Sequence, residues 1–207
     1  MSTALDADWL RLCRRAAEGL RAVLEGAPTT RERAVETGAR GQGGDLTLEI
    51  DDAAERAVFG LLDELHDAGA RFTAVSEERG EVDYGDRGVR VVIDPIDGSL
   101  NAKRALPHHA ISIAVADGPT MADVAFAYVY DFGPGEEWVA RRGEGAWLDG
   151  ARLDPGVGER RNRAGLLEVL GLESADPRWV AEVAGELPAH AARLRALGSI
   201  AITLCQV

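Results

Sequence analysis

Val91-Val92-Ile93-Asp94-Pro95-Ile96-Asp97-Gly98-Ser99 is the stretch from which the rest of this chain can be read. Its first three residues are β-branched and apolar, as in a buried strand. Pro95 lacks the N–H that a ladder needs, so the strand is expected to end there. Two carboxylates three positions apart across the proline turn, Asp94 and Asp97, can converge on a divalent cation, and hard oxygen donors suit magnesium. Gly98 lets backbone approach a ligand closely, and Ser99 sets a hydroxyl beside the same place. Asp, Pro and Gly also favour ordinary turns, so the stretch alone fits a plain strand exit equally well.

Upstream, the stripe Trp9, Leu12, Cys13, Ala16, Leu20, Val23, Leu24 predicts a helix over 6–26, closed by Gly26 and Pro28. A glycine-rich, mobile loop is expected at 38–44, a short strand at 46–50, and a second helix over 51–66. A strand at 71–75 leads into Glu77, a charged loop fills 78–88, and 89–93 is the central strand. Downstream, 110–116, 121–130 and 137–141 read as antiparallel strands, and Asp149-Gly150 turns a further hairpin. Pro155, Gly156 and Gly158 mark a candidate boundary, dividing the chain into 1–153, an α+β metal-binding domain, and 154–207, a partial α/β domain. In the second part a strand (165–170), a helix (177–187), a short strand (192–197) and the start of a helix at Gly198 follow.

The 207 residues carry a net charge of −12, which argues against nucleic acid or an anionic membrane surface as partner. It also means that a phosphorylated substrate needs a cation to reverse the sign locally. Two cysteines, Cys13 and Cys205, make no disulfide framework, and Cys13 falls on the apolar stripe as a buried thiol. The polar, acidic start is no secretory signal, and no apolar run reaches the ~18 residues of a membrane span. A cytoplasmic location is expected.

The stretch at 94–99 resembles the Asp-Pro-(Ile/Leu)-Asp-Gly-(Ser/Thr) signature of the inositol monophosphatase superfamily, magnesium-dependent and lithium-sensitive phosphomonoesterases. The order of segments is similar too. Gly44-Asp45-Leu46-Thr47-Leu48-Glu49-Ile50-Asp51 resembles the first metal segment, Val75-Ser76-Glu77-Glu78 the second, and Leu197-Gly198-Ser199-Ile200-Ala201 the Gly-Ser start of a late helix. The resemblance implies an α/β (α+β) fold, a layered αβαβα sandwich of the sugar phosphatase type. Its last layer would be incomplete, because family members continue for several dozen residues to an Asp in a Trp-Asp-x-Ala-Ala-Gly-like motif absent from this sequence. By the same resemblance Glu77, Asp94 and the main-chain carbonyl of Ile96 hold a first magnesium, and Asp94 bridges to a second that Asp97 shares with the absent Asp. Two or three ions are implied, with manganese as a substitute and lithium as an inhibitor. Ser99 paired with Asp51 would activate water, with Glu77 counted beside them in the catalytic set, while Gly98, Ser99 and Asp97 face the phosphate. A homodimer is also implied. The substrate would be inositol monophosphate, with fructose-1,6-bisphosphate as the alternative from the archaeal-type branch.

Duller roles exist for each residue: Asp51 as a helix cap, Glu77 as a solvated acid, Ser99 as a cap after the turn. Glu78 is left out of the ligand set. His108 and His109 read as strand-edge packing, and Lys103 and Arg104 as a solvated turn. A haloacid-dehalogenase-type phosphatase needs Asp-x-Asp and a distant lysine, and Lys103 is the lone lysine. A calcium loop lacks its alternating ligands. A non-catalytic, metal-binding or dimer-forming relic is the rival of a different class.

Overall fold

The computed structural model describes residues 4–40, 46–173 and 176–206. Helix α1 (Trp9–Gly26) starts at Asp8, whose carboxylate accepts the Arg11 N–H at 3.1 Å, and buries Trp9, Leu12, Cys13, Ala16, Ala17, Leu20 and Leu24. A one-turn helix α2 (Thr30–Arg33) carries a Thr29/Glu32 capping box. Strands β1 (Glu36–Arg40) and β2 (Leu46–Leu48) pair antiparallel and lead directly into α3 (Glu49–Asp67). The expected glycine-rich loop is thus strand as far as Arg40, and its remainder, Gly41 to Gly44, lies outside the described residues.

The main sheet follows as β3 (Thr73–Ser76), β4 (Gly80–Asp83), β5 (Arg90–Asp97), β6 (Ala110–Ala116), β7 (Val124–Asp131), β8 (Glu136–Arg141), β9 (Gly145–Leu148) and β10 (Ala151–Arg152). A short helix α4 (Ser99–Lys103) sits between β5 and β6. The spatial order is β10-β9-β8-β7-β6-β5-β3-β4, with β3 and β5 parallel and every other neighbour antiparallel. Helices α1 and α3 pack on each other and cover one face of this sheet. Val91 and Ile93 point into that core, whereas Val92 between them is 47% exposed, the period-two alternation of a sheet covered on one side at this point. Phe72 is fully buried between Trp9, edge-on at 6.2 Å, and Tyr84, stacked at 4.7 Å. Each such side chain removed from water is worth roughly 1.5–3 kcal/mol, so this block supplies most of the apolar driving force.

Beside the glycine-rich loop, the structure differs from the sequence reading at five elements, one of them the strand expected over 165–170, of which only Leu170 lies in a strand. Pro95 does not end its strand. Asp94 pairs opposite Ser112 and Asp97 opposite Ala110, so Pro95 and Ile96 together face one residue, Ile111, in a bulge where the missing N–H costs nothing. The charged loop at 78–88 contains β4, an edge strand with alternating exposure that polar residues keep from further pairing. Residues Met121–Asp123 form a 3-10 turn capped by Thr120, and Met121 is 89% exposed rather than in a strand. The helix expected over 177–187 is broken into α5 (Pro177–Val183) and α6 (Leu187–His190), because Pro188 cannot donate to the carbonyl of Ala184 and its ring crowds it. The Asp149-Gly150 turn is present as expected, with φ of 48° and 78°, a two-residue hairpin that suits the strand twist.

Beyond β10 regular structure is sparse. Strands β11 (Leu170–Gly171) and β12 (Leu194–Arg195) pair parallel over two residues each, and α7 (Ile200–Cys205) docks on β6 and β7 through Ala201 and Ile202. Among the described residues, no helix is long and apolar enough to cross a membrane.

Candidate active site

Asp51 is the third residue of α3, inside its first turn rather than capping it. Glu77 and Glu78 occupy the turn between β3 and β4, and Asp94 sits at the end of regular pairing in β5. Because β3 and β5 run parallel, with Ser76 opposite Ile93, the residues that follow each strand emerge on the same side. The α3 N-terminus lies at that edge. Asp51, Glu77, Glu78, Asp94, Pro95, Ile96 and Ser99 line one cleft of about 60 Å³. Five sequence-selected residues are therefore brought together, along with Glu78, which had been left out.

Asp94 is the centre of the field. Burial pushes its carboxyl up to about 7, and the charges of Asp97, Glu77 and then Asp51 push the same way, against one hydrogen bond from the Ile96 N–H to its Oδ1 at 3.1 Å. Four acids thus feel one another at the mouth of a bulged strand. Among the described residues no three His, Cys, Asp or Glu side chains close into a ready-made cage. The donor chemistry nonetheless fits a hard divalent cation: every candidate donor is an oxygen, and a cation offsets both the burial and the mutual repulsion that raise the Asp94 carboxyl. Ion binding would draw the carboxylates inward.

Asp97 is placed differently from the rest. It is buried, and its Oδ2 accepts hydrogen bonds from Ser199 Oγ at 2.5 Å and from the Ala201 N–H at 2.7 Å, so it fastens the start of α7. The same joint is held from two more sides. Asn101 Nδ2 donates to the carbonyls of His108 and Leu197, both at 2.7 Å. Glu173 accepts from Leu197 N at 2.7 Å, Gly198 N at 3.0 Å and Thr203 Oγ1 at 2.7 Å. Gly98 is left-handed at φ 88°, and a Cβ there would meet the His108 carbonyl at 2.8 Å and the Gly198 carbonyl at 3.0 Å, so glycine is required by conformation and by space. Ser99 opens α4 and is exposed to the cleft.

The bland readings hold for other residues. His109 is buried and stacked on Phe132 at 5.6 Å, with Nδ1 against the Leu106 carbonyl at 2.9 Å; burial lowers its pKa. The Cys13 thiol is buried and driven far up in pKa by desolvation. Sequence reasoning missed Glu55, Glu173 and the second duty of Asp97. Glu55 carried a faint signal, an acid among the apolar positions of α3. Glu173 carried none.

Comparison with known proteins bears on the family and the fold. The chain is 33% identical over 177 residues to the Nus factor SuhB of Escherichia coli K12, covering 84% of this chain and 63% of that protein. It is 34% identical over 147 residues to the fructose-1,6-bisphosphatase/inositol-1-monophosphatase of Archaeoglobus fulgidus, covering 71% of this chain and 54% of that one. The chain thus spans somewhat over half the length of these curated relatives. The crystal structure of the extragenic suppressor protein suhB from Bartonella henselae superposes with a TM-score of 0.78 at 20% identity, over 97% of this chain and 74% of that one, which establishes a shared fold. Residues 7–207 match the profile of the inositol monophosphatase family, and the chain belongs to that family.

Proposed function

We propose that the protein hydrolyses a small phosphomonoester in a magnesium-dependent reaction, inositol monophosphate first and fructose-1,6-bisphosphate as the alternative. The observation that carries this reading is the convergence of Asp51, Glu77, Asp94 and Ser99 on one cleft around a carboxyl that burial, and then its acidic neighbours, push up to about 7. Glu77, Asp94, the Ile96 carbonyl and Asp97 would hold magnesium, which when bound offsets phosphate charge and makes water more acidic. Ser99 would orient the attacking water and accept its proton while passing its own hydroxyl proton to the Asp51 carboxylate. The P–O ester bond would break as the bond to water forms, and the leaving alkoxide would take a proton from solvent water. The backbone N–H groups of Gly98 and Ser99 would hold phosphate oxygens. A homodimer in the cytoplasm completes the reading, on the family resemblance.

The test is phosphate release from both substrates in magnesium, with and without lithium. It is run on the 207-residue chain and on a chimera that joins it to the C-terminal portion of the Archaeoglobus relative. Magnesium-stimulated release that falls at least ~100-fold in Glu77→Gln and Asp94→Asn is the expected result. No release from any phosphomonoester by the magnesium-bound chimera would sink the proposal.

A second reading rests on the likeness to SuhB, named as a Nus factor, across 84% of this chain. On this reading the chain would share that role, and the exclusion of nucleic-acid partners drawn from net charge is not kept. Wild-type function in cells from an Asp94→Asn protein that releases no phosphate would favour it.

A further inference from the structure

Glu55 is 3% exposed in the middle of α3, one helical turn beyond Asp51, and the chemistry above gives it nothing to do. Its Oε1 accepts the hydroxyl of Ser76, the last residue of β3. Its Oε2 stands 3.8 Å from Arg79 Nε. Ser76 Oγ in turn accepts the Arg79 backbone N–H at 3.2 Å, and the Arg79 guanidinium lies 4.3 Å over the Phe59 ring, one turn further along the same helix. Ser76 and Arg79 are the two ends of the turn whose apex is Glu77 and Glu78. Both ends are therefore tied to α3, the helix that carries Asp51.

A buried carboxylate with a cationic partner is a poor investment for stability, since an apolar side chain of similar volume does as well or better. What the arrangement adds is position. We propose that Glu55 is a positioning residue for the cleft: through Ser76 and Arg79 it fixes the Glu77–Glu78 turn relative to Asp51, so that the acids stand ready around one cation. This rests on the cleft being a metal site. Outer partners of ligating groups change metal affinity by roughly 10- to 100-fold. Glu55 acts one step further out, through the backbone of the turn, and about tenfold is expected.

The experiment is manganese binding to the full chain, measured by electron paramagnetic resonance, for wild type, Glu55→Gln, Ser76→Ala, the double variant of these two, Glu77→Gln and Val58→Ala. Glu55→Gln and Ser76→Ala should each raise Kd about tenfold, and the double variant little more, because both cut one path. Val58→Ala removes a fully buried side chain of α3 that takes no part in the hydrogen bonds described, so it should lower the melting temperature with Kd unchanged. If Glu55→Gln does not fold, Ser76→Ala carries the test on its own. Unchanged Kd in Glu55→Gln and Ser76→Ala, while Glu77→Gln loses manganese, overturns the proposal and leaves the metal site standing. A Kd shift of the same size in Val58→Ala overturns it too, since loosening of the helix would then suffice. A wild type that binds no manganese, or a Glu77→Gln that binds it normally, removes the metal site itself and this inference with it.

Discussion

Phe72 and Trp179 are both large aromatics, and they live in different surroundings. Phe72 is fully buried between Trp9 and Tyr84 in the block formed by α1, α3 and the main sheet. Trp179 is 67% exposed on α5, a helix with no buried residue at all. The block before Arg152 is held by interdigitated apolar side chains. The portion after it is held largely by polar joints, with Asp97, Asn101 and Glu173 gathered at Gly198 and Ser199. The acids of the cleft stand on the first kind of structure, and only Asp97 belongs to both.

That contrast is broken most easily by Phe72→Ala, which should cost about 3–5 kcal/mol in urea unfolding. A loss under 1 kcal/mol would mean that the block is not the principal source of stability. Ser199→Ala comes next. It removes the donor to Asp97 and the cap whose Oγ accepts the Ile202 N–H at 3.3 Å, and should cost about 2 kcal/mol. Hydrogen exchange should then rise across 197–205 and stay unchanged in α3, whereas a rise in both would erase the distinction between the regions.

Asp94→Asn should act in the opposite direction on metal-free protein. The carboxyl of Asp94 rises from 3.8 to about 7 in the fold, so between those values the native state binds a proton that the unfolded chain does not. Stability therefore falls as pH climbs through this window, and above pH 7 the penalty is fully present. Asn removes it, a gain of about 1–3 kcal/mol at pH 8 that vanishes below pH 4. Thermal melts at both pH values, with chelator, check this, and a variant no more stable at pH 8 contradicts it. The smallest effect belongs to Trp179→Ala, within about 0.5 kcal/mol of wild type by the same urea measurement. A loss near that of Phe72→Ala would show that the exposed helix packs in solution on something.

Much of the block was legible because its signals are local and periodic. The apolar stripes gave α1 and α3 to within a few residues, the alternation gave β6 and β8, and Asp149-Gly150 gave its hairpin. Family membership was legible at residues 94–99 for a different reason, since ordered side-chain chemistry there is dense. Pro95 misled because a proline's effect depends on whether its position needs an N–H, and that is decided by the partner strand at Ile111. The break between α5 and α6 was visible in Pro188, four residues beyond the carbonyl it disturbs, and was passed over. Glu55 and Glu173 act through partners 21 to 30 residues away, a separation at which no sequence spacing reports contact. Asp97 was legible as an acid of the signature, but its hold on α7 spans 102 residues to Ser199.

The eight strands of the main sheet come from one uninterrupted stretch, β3 through β10, finished at Arg152. During synthesis the N-terminal portion leaves the ribosome first, at roughly 5–20 residues per second, so the rest of the chain needs several seconds more to appear. Sheet domains of mixed topology fold in milliseconds to seconds. The sheet and its two covering helices can therefore close while the remainder is still being made. Docking of α7 at Asp97 is then a late event on a finished surface, and a translational pause shortly after Arg152 would favour it, whereas one inside β6 would leave β5 with an open edge.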